Sequence, residues 1–218
     1  MRHEARKVLV LGASGGVGKH LVRLACDQGH IVTALMRRAD GIDSRARILI
    51  DDVLRPTCFD EHVCGHDVVL SALGIKRTNA ANPWSALASP PDFSSRTAAM
   101  LVTAMRQHGL ARVIAVSAAG VADSAARMNL LMKFFVAKSN VGIGYRDLAA
   151  MERVFADSGL DWCCSRPTRL TSGPLTRRVR VMESFPMTAG ISRPDVAWWM
   201  LEQAAQPILE RTPIISSG

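Results

Sequence analysis

Apolar positions along this 218-residue chain follow two rhythms in turn. Short unbroken runs at 8–11, 31–36, 46–50, 67–73, 112–117 and 161–165 resemble strands buried on both faces, as in a parallel sheet. Between them apolar residues recur at helical spacing, as Val17, Leu21, Leu24 and Ala25 do, which predicts helices after residue 17 and over 95–108, 145–158 and 194–205. Gly29, Gly109 and Gly159 stand where the first three should stop. The fourth opens on Ser192-Arg193-Pro194-Asp195, a Ser cap with an early Pro and an acid three residues on. Residues 175–182 alternate like an exposed strand, and 212–216 look like a last one. The alternation predicts an α/β fold: a doubly wound, mostly parallel sheet with a small C-terminal cap.

Two stretches stand outside this rhythm. Residues 75–95, with Asn79, Asn82, Pro83, Trp84, Pro90 and Pro91, are longer than a plain connection and follow a strand's carboxyl end. They read as a substrate-side flap with Trp84 as a ring-stacking group, or as a surface insertion with a pinned Trp. Residues 128–137 (MNLLMKFFVA) are strongly apolar, flanked by Arg127 and Lys138, and too short to span a bilayer. A pocket wall, a homodimer face and a membrane-surface contact all fit them.

The first run enters Gly12-Ala13-Ser14-Gly15-Gly16-Val17-Gly18, and a helix and a second strand follow. Strand, glycine turn, helix, strand is the opening unit of a dinucleotide-binding (Rossmann) fold. A pyrophosphate would sit where the helix begins, because free N–H groups and the positive helix end point there. A Cβ at the close-approach positions would hold it off. Beyond the second strand come Arg37 and Arg38, with Asp40 the first acid, where an NAD-specific site would place Asp or Glu. Guanidinium groups suit a 2′-phosphate, so the expected cofactor is NADP(H). Asp51-Asp52-Val53 ends the third strand, where a carboxylate accepts from an adenine amino group or caps a turn. Ser71-Ala72-Leu73-Gly74 ends the fourth, and its small residues let backbone approach a cofactor.

Composition narrows the partners. With 48% hydrophobic and 21% charged residues and no compositional break, residues 1–218 are expected to form a single domain. The net charge of +8 attracts anions, but the cations are scattered and only 5% of residues are aromatic. That disfavours nucleic acid and leaves a phosphorylated cofactor and an anionic or aromatic small-molecule substrate. Cys26, Cys58, Cys64, Cys163 and Cys164 contain no CxxC pair and no metal-ligand spacing, so no metal is expected. Cys163 and Cys164, adjacent in a strand, should face opposite ways. The expected setting is cytoplasmic, with reduced thiols, no signal peptide and no membrane span.

GASGGVG, the Arg37-Arg38 pair, DDV, SALG, VIAVSAAG, RDLAAMERVFADSGLDWCCSRP and ISRPDVAWWML, in that order and spacing, resemble the atypical short-chain dehydrogenase/reductases. The likeness is to NmrA-like NAD(P)H-binding proteins and the small flavin reductase/biliverdin-IXβ reductase type, over nearly the whole chain. The resemblance implies that Gly12, Ser14, Gly15, Gly16, Val17 and Gly18 hold the pyrophosphate, and Arg37 and Arg38 the 2′-phosphate. It implies Asp52 and Val53 at the adenine, Leu73 and Gly74 along the cofactor path, Ser117 beside the nicotinamide, and Pro167 and Thr168 closing over it. Substrate-side elements would come from 75–95, 121–144 and 168–192, with Lys76, Arg77 and Arg169 as cations near the cleft.

One departure separates the chain from many members of that group. Tyr145 is the only tyrosine, and the residue four further on is Ala149, so the proton-exchanging Tyr-x-x-x-Lys pair is missing. Glu152 reads as a helix-surface acid without chemistry. Two functions follow. The first is an NADPH-dependent reductase passing hydride to a flavin, quinone or similar conjugated acceptor that takes its proton from solvent, with Ser117 only orienting. The alternative is a non-catalytic NADP(H)-binding regulator of the NmrA-like type.

Overall fold

The computed structural model describes residues 4–39, 41–79, 81–186 and 188–218, and Asp40 lies outside them. The valine- and leucine-rich strand β1 (Lys7–Leu11) lies inside the sheet, parallel to β2 (Ile31–Met36) on one side and to β4 (Val68–Ser71) on the other. With β3 (Arg47–Ile50), β5 (Arg112–Val116), β6 (Asp161–Pro167), β8 (Val179–Val181) and β10 (Ile214–Ser217), the described residues form an eight-stranded sheet in the order β3-β2-β1-β4-β5-β6-β10-β8. The pairings through β3 to β6 and on to β10 are parallel, and β8 is antiparallel to β10.

Strands apolar on both faces need cover on both. Helices α1 (Gly18–Asp27) and α6 (Arg193–Ala205) bury Leu21, Val22, Val196 and Met200 against one face. Helices α3 (Phe93–Gln107) and α5 (Val141–Ala156) bury Leu101, Met105, Met151 and Phe155 against the other. Cys163 belongs to the first core and Cys164 to the second, so the adjacent thiols do face opposite ways. Strand order reverses between β1 and β4, which opens a crevice at their carboxyl ends, where α/β sheets collect ligands.

The α/β architecture matches the sequence reading, and the departures have local causes. The short helix α2 (Cys58–His62) has too few residues to show a period. Helix α5 begins at Val141 rather than 145, with Gly142 and Gly144 in its first turn. Gly142 allows a close pass: a Cβ there would lie 2.5 Å from the carbonyl oxygen of Val136. The strand expected over 175–182 shrinks to β8, because the Asp195 carboxylate accepts the N–H groups of Thr176 and Arg177 (2.8 Å each) and takes them from any ladder. The small C-terminal cap contains a second small sheet, in which β7 (Arg169–Thr171) and β9 (Gly190–Ser192) pair in parallel. The apolar stretch 128–137 yields α4 (Leu130–Lys138), none of whose residues is buried. Among the described residues no helix is long and apolar enough to cross a membrane.

Gly18 fixes how closely α1 packs under the turn. A Cβ built there would lie 2.2 Å from the Gly12 carbonyl oxygen and 2.8 Å from the Ala13 Cα, both backbone atoms that cannot rotate away. Gly18→Ala should therefore cost about 1–3 kcal/mol or more by overpacking. Gly29→Ala, at φ +82° in open space, should cost only the ~1–2 kcal/mol of a left-handed alanine. Urea denaturation of both variants checks this, and a Gly18→Ala protein no less stable than Gly29→Ala would contradict the close packing.

Candidate cofactor and substrate site

The site begins at the glycine turn. Gly12 takes φ +71°, and a Cβ there would also lie 2.9 Å from the carbonyl oxygen of Ala72, so the turn passes against the end of β4. The residue before α1, Val17, supplies no side-chain cap, and the first turn holds no acid. Helix N–H groups without intrahelical partners and the positive helix end are therefore left for an anion. A Cβ on Gly16 would lie 2.8 Å from Cδ and Nε of Arg193, the first residue of α6, whose side chain crosses the turn. Glycine where a Cβ would fill the cradle, beside a cation, fits a pyrophosphate group.

Three cavities join end to end along the carboxyl edge of the sheet. The first is lined by Gly12, Ser14, Gly15, Arg37, Asp51, Val53, Leu73 and Gly74. The second, about 330 Å³, shares Gly15, Leu73, Gly74 and Lys76 with it and adds Gly16, Val17, Arg77, Ser117, Tyr145 and Arg193. The third, about 350 Å³, shares Ser117, Tyr145 and Leu170 with the second and ends among Met132, Phe135, Pro167, Thr168, Arg169 and Phe185. The trough therefore runs from Arg37 past the glycines to Ser117 and on into an apolar chamber.

Most of the residues assigned to the cofactor from the sequence border this trough, and three do not. Gly18 is buried under the turn as a packing residue. Arg38 is exposed and lines none of the three cavities. Asp52 turns its carboxylate to the N–H of Leu54 (3.0 Å), as a turn cap does, and Asp51 is the acid that lines the first cavity. Arg55 holds the Asp51 carboxyl well below the usual carboxylate range, and His62 Nε2 lies 2.9 Å from it. Cys58 also lies near Asp51 and His62, but burial pushes its thiol up to about 12 and Arg55 already neutralises the acid.

Trp84 does not line the trough. Its indole N–H donates to the Lys138 carbonyl (3.0 Å) and its ring meets Phe135 edge-on at 5.9 Å, so Trp84 is pinned outside the trough rather than free to stack in it. Asn140 ties the same segment to α5 by donating to the carbonyls of Trp84 and Ser85 (3.0 Å each). Lys76, Arg77 and Arg169 do border the trough, as expected of cations near the cleft. Arg193 was missed as a site residue. Its only sequence signal was its place in ISRPDVAWWML, where it read as part of a helix start.

The largest correction concerns Glu152. It is buried, 5% exposed, and accepts from Ser117 Oγ (2.6 Å) and from Nε and Nη2 of Arg166 (3.0 and 2.6 Å). Periodicity could not find this, because Glu152 lies beside Met151 on the buried side of α5 and its partner Arg166 is fixed only by the fold. Arg166 also reaches Asp123 at the surface (2.8 Å) and holds that carboxyl below its ordinary range. Paired with a guanidinium, Glu152 is a carboxylate and only accepts. The Ser117 hydroxyl proton is thereby committed to it, so Ser117 offers lone pairs to the trough. Tyr145 is in a similar position: its hydroxyl donates to the Ala119 carbonyl (3.1 Å), and burial raises its pKa.

Removing one partner of such a pair strands the other. Arg166→Met should destabilise the protein by about 3–5 kcal/mol by leaving Glu152 buried and unpaired. The double variant Arg166→Met, Glu152→Leu should recover much of that loss in denaturant melts. Equal losses in the single and double variants would mean that the pair is not coupled.

A family model described as NAD(P)H-binding matches residues 12–207. Among solved structures the chain is similar to ChuY, an anaerobilin reductase from Escherichia coli, with a TM-score of 0.75 and 21% identity over 96% of each chain. It is similar to a proposed NADH-flavin reductase from Streptococcus pneumoniae, with a TM-score of 0.74 and 19% identity over 98% of this chain and 100% of that one. A Rossmann-fold NAD(P)-binding family protein from Shigella flexneri gives 0.66 and 20% over 98% and 94%. At these identities the likeness establishes the fold.

Proposed function

The chain belongs to the NAD(P)H-binding family, and from that premise we propose that it is an NADPH-dependent reductase of a conjugated small molecule, built as one domain with its substrate-side elements in 75–95, 121–144 and 168–192. The observation that carries this reading is the commitment of the two hydroxyls at the middle of the trough. Ser117 donates to Glu152 and Tyr145 to Ala119, so neither has a free proton for a developing alkoxide. An acceptor whose conjugated system takes up charge and draws its proton from water needs no such donor.

In this reading Gly12, Ser14, Gly15, Gly16 and Val17 hold the pyrophosphate beside Arg193, with Arg37 at the 2′-phosphate and Val53 against the adenine. Leu73 and Gly74 line the path between, and Ser117, Pro167 and Thr168 enclose the nicotinamide. When bound, NADPH supplies a hydride, and the protein's work is to hold donor and acceptor close together in one trough. Ser117, acceptor-only toward the trough, orients a donor group such as a carboxamide N–H. Lys76, Arg77 and Arg169 favour an anionic acceptor. The similarity to ChuY and to the streptococcal protein, both named as reductases, supports the same class. NADPH oxidation over a panel of flavins, quinones and linear tetrapyrroles tests it. NADPH binding with no turnover on any of them, together with a stable protein complex, would favour a cofactor-binding regulator instead.

Two variants probe the assignments. A charge-assisted contact is worth roughly 1.5–3 kcal/mol, so Arg37→Ala should lower NADPH affinity by about ten- to a hundredfold and leave NADH affinity nearly unchanged. Arg38→Ala, outside the trough, should do much less. Titration of both cofactors reads the difference, and an unchanged NADPH preference in Arg37→Ala would remove Arg37 from the site.

Ser117→Ala should slow flavin reduction by only about threefold to twelvefold, the worth of one hydrogen bond. A general acid would be worth about a hundredfold or more. A thousandfold loss in kcat with NADPH affinity intact would make Ser117 a proton donor and defeat the solvent-proton reading.

A further inference from the structure

A helix that is apolar all round is normally covered all round. The inner side of α4 meets that rule: Met132 and Val136 pack against the small core formed by Ala119, Met128, Phe185 and Ile214. Its outer side does not. Leu130 is 84% exposed, Leu131 64% and Phe134 63%, and Trp84, pinned beside the helix, is 61% exposed. Helical spacing sets these apolar residues in one stripe, since positions 130, 131 and 134 fall within a turn of one another. Scattered exposed apolar residues need no explanation, but a contiguous patch of this kind marks a contact surface.

The charges around the patch choose the occupant. Helix α4 carries no acidic residue, and Arg127, Lys133 and Lys138 are exposed along and at the ends of it. Asp123, the acid nearest in sequence, is paired with Arg166. A second copy meeting this patch about a two-fold axis would set these three cations against their own counterparts, on a chain of net charge +8. An anionic bilayer surface neutralises them and takes up the leucines and aromatics, while lysine stems extend to keep their ammonium groups at the headgroups.

We propose that α4, with Trp84, docks this protein on anionic membrane surfaces and so sets the mouth of its apolar chamber against the lipid. The same helix contributes Met132 and Phe135 to the third cavity, whose far end is Ser117. A lipophilic acceptor partitioned in the bilayer would enter by the side of α4 without crossing water. The proposal goes beyond the reductase reading and does not depend on it, because docking needs neither cofactor nor turnover.

Co-sedimentation of the purified full chain with vesicles tests this, using phosphatidylcholine alone and phosphatidylcholine mixed with phosphatidylglycerol. Binding should appear on the mixed vesicles, weaken with added salt and be far weaker on phosphatidylcholine. Leu131→Gln with Phe134→Gln, both at exposed positions that leave the fold intact, should lower binding by about tenfold or more. Lys133→Glu with Lys138→Glu should lower it by a similar factor. Brominated lipid should quench tryptophan fluorescence in the wild type but not in Trp84→Phe. No binding to the mixed vesicles, equal binding to both vesicle types, or a concentration-dependent dimer abolished by the glutamine pair would each overturn the proposal. NADPH oxidation with a water-soluble flavin, measured on the same samples, would show separately whether the reductase reading stands.

Discussion

The buried pair of Glu152 and Arg166 is the interaction on which the middle of this molecule depends. It ties α5 to the carboxyl end of β6, and through Ser117 Oγ it reaches the carboxyl end of β5. Ion pairs taken out of water are weak sources of stability, since desolvation offsets most of the attraction. Their geometry is demanding, however, and here that geometry fixes three elements around one point of the trough. The backbone adds to it, with the N–H groups of Ser117 and Ala119 donating to the carbonyls of Ser165 and Pro167 (2.7 and 3.0 Å). The two strands are therefore still bridged beyond the end of β5, just where the second cavity meets the third.

Much of this was legible in the sequence because it depends on local pattern. Strands apolar on both faces announce a parallel sheet, and a sheet of that kind must carry helices on both sides. Gly12 at φ +71° and the Ser192 cap, which accepts from the N–H of Asp195 (3.1 Å), are equally local devices and were read from a few residues each. What escaped the sequence was set by distance. Glu152 looked like one more polar residue of a helix, because nothing in its neighbourhood names Arg166. Arg193 looked like a helix start, because the glycine whose face it covers lies at the far end of the chain. Trp84 read first as a stacking group of the trough, with a pinned surface position as the alternative, and its bond to the Lys138 carbonyl holds it at the surface. Of the two roles that DDV left open, Asp52 takes the turn cap, and the neighbouring acid lines the cavity.

The trough changes character along its length, and the change follows from which elements supply its walls. At the end near β1 and β2 the walls are backbone, glycine and cations, with Arg37 and Arg193 set about a helix N-terminus. This is a surface for phosphate charge. Past Ser117 the walls come from α4 and from the segment before β9, with Met132, Phe135, Phe185 and Pro186. That end suits flat apolar surface, with Arg169 as its cation. One fold edge thus carries two kinds of wall, separated by the Ser117–Tyr145 junction.

That junction limits what chemistry the protein itself can add. A hydroxyl has one proton, and Ser117 and Tyr145 each direct theirs at an acceptor already in place: a carboxylate held by a guanidinium, and a backbone carbonyl. To donate to a ligand, Ser117 would have to leave Glu152 with one hydrogen bond fewer in a buried setting, at a cost of about 1–3 kcal/mol. Tyr145 would strand the Ala119 carbonyl in the same way. Both groups are therefore better suited to receiving a hydrogen bond than to giving one. A site built this way can align a ligand that brings its own N–H or O–H. It is poorly built to protonate a localised oxyanion, because doing so would break a hydrogen bond that each hydroxyl already makes.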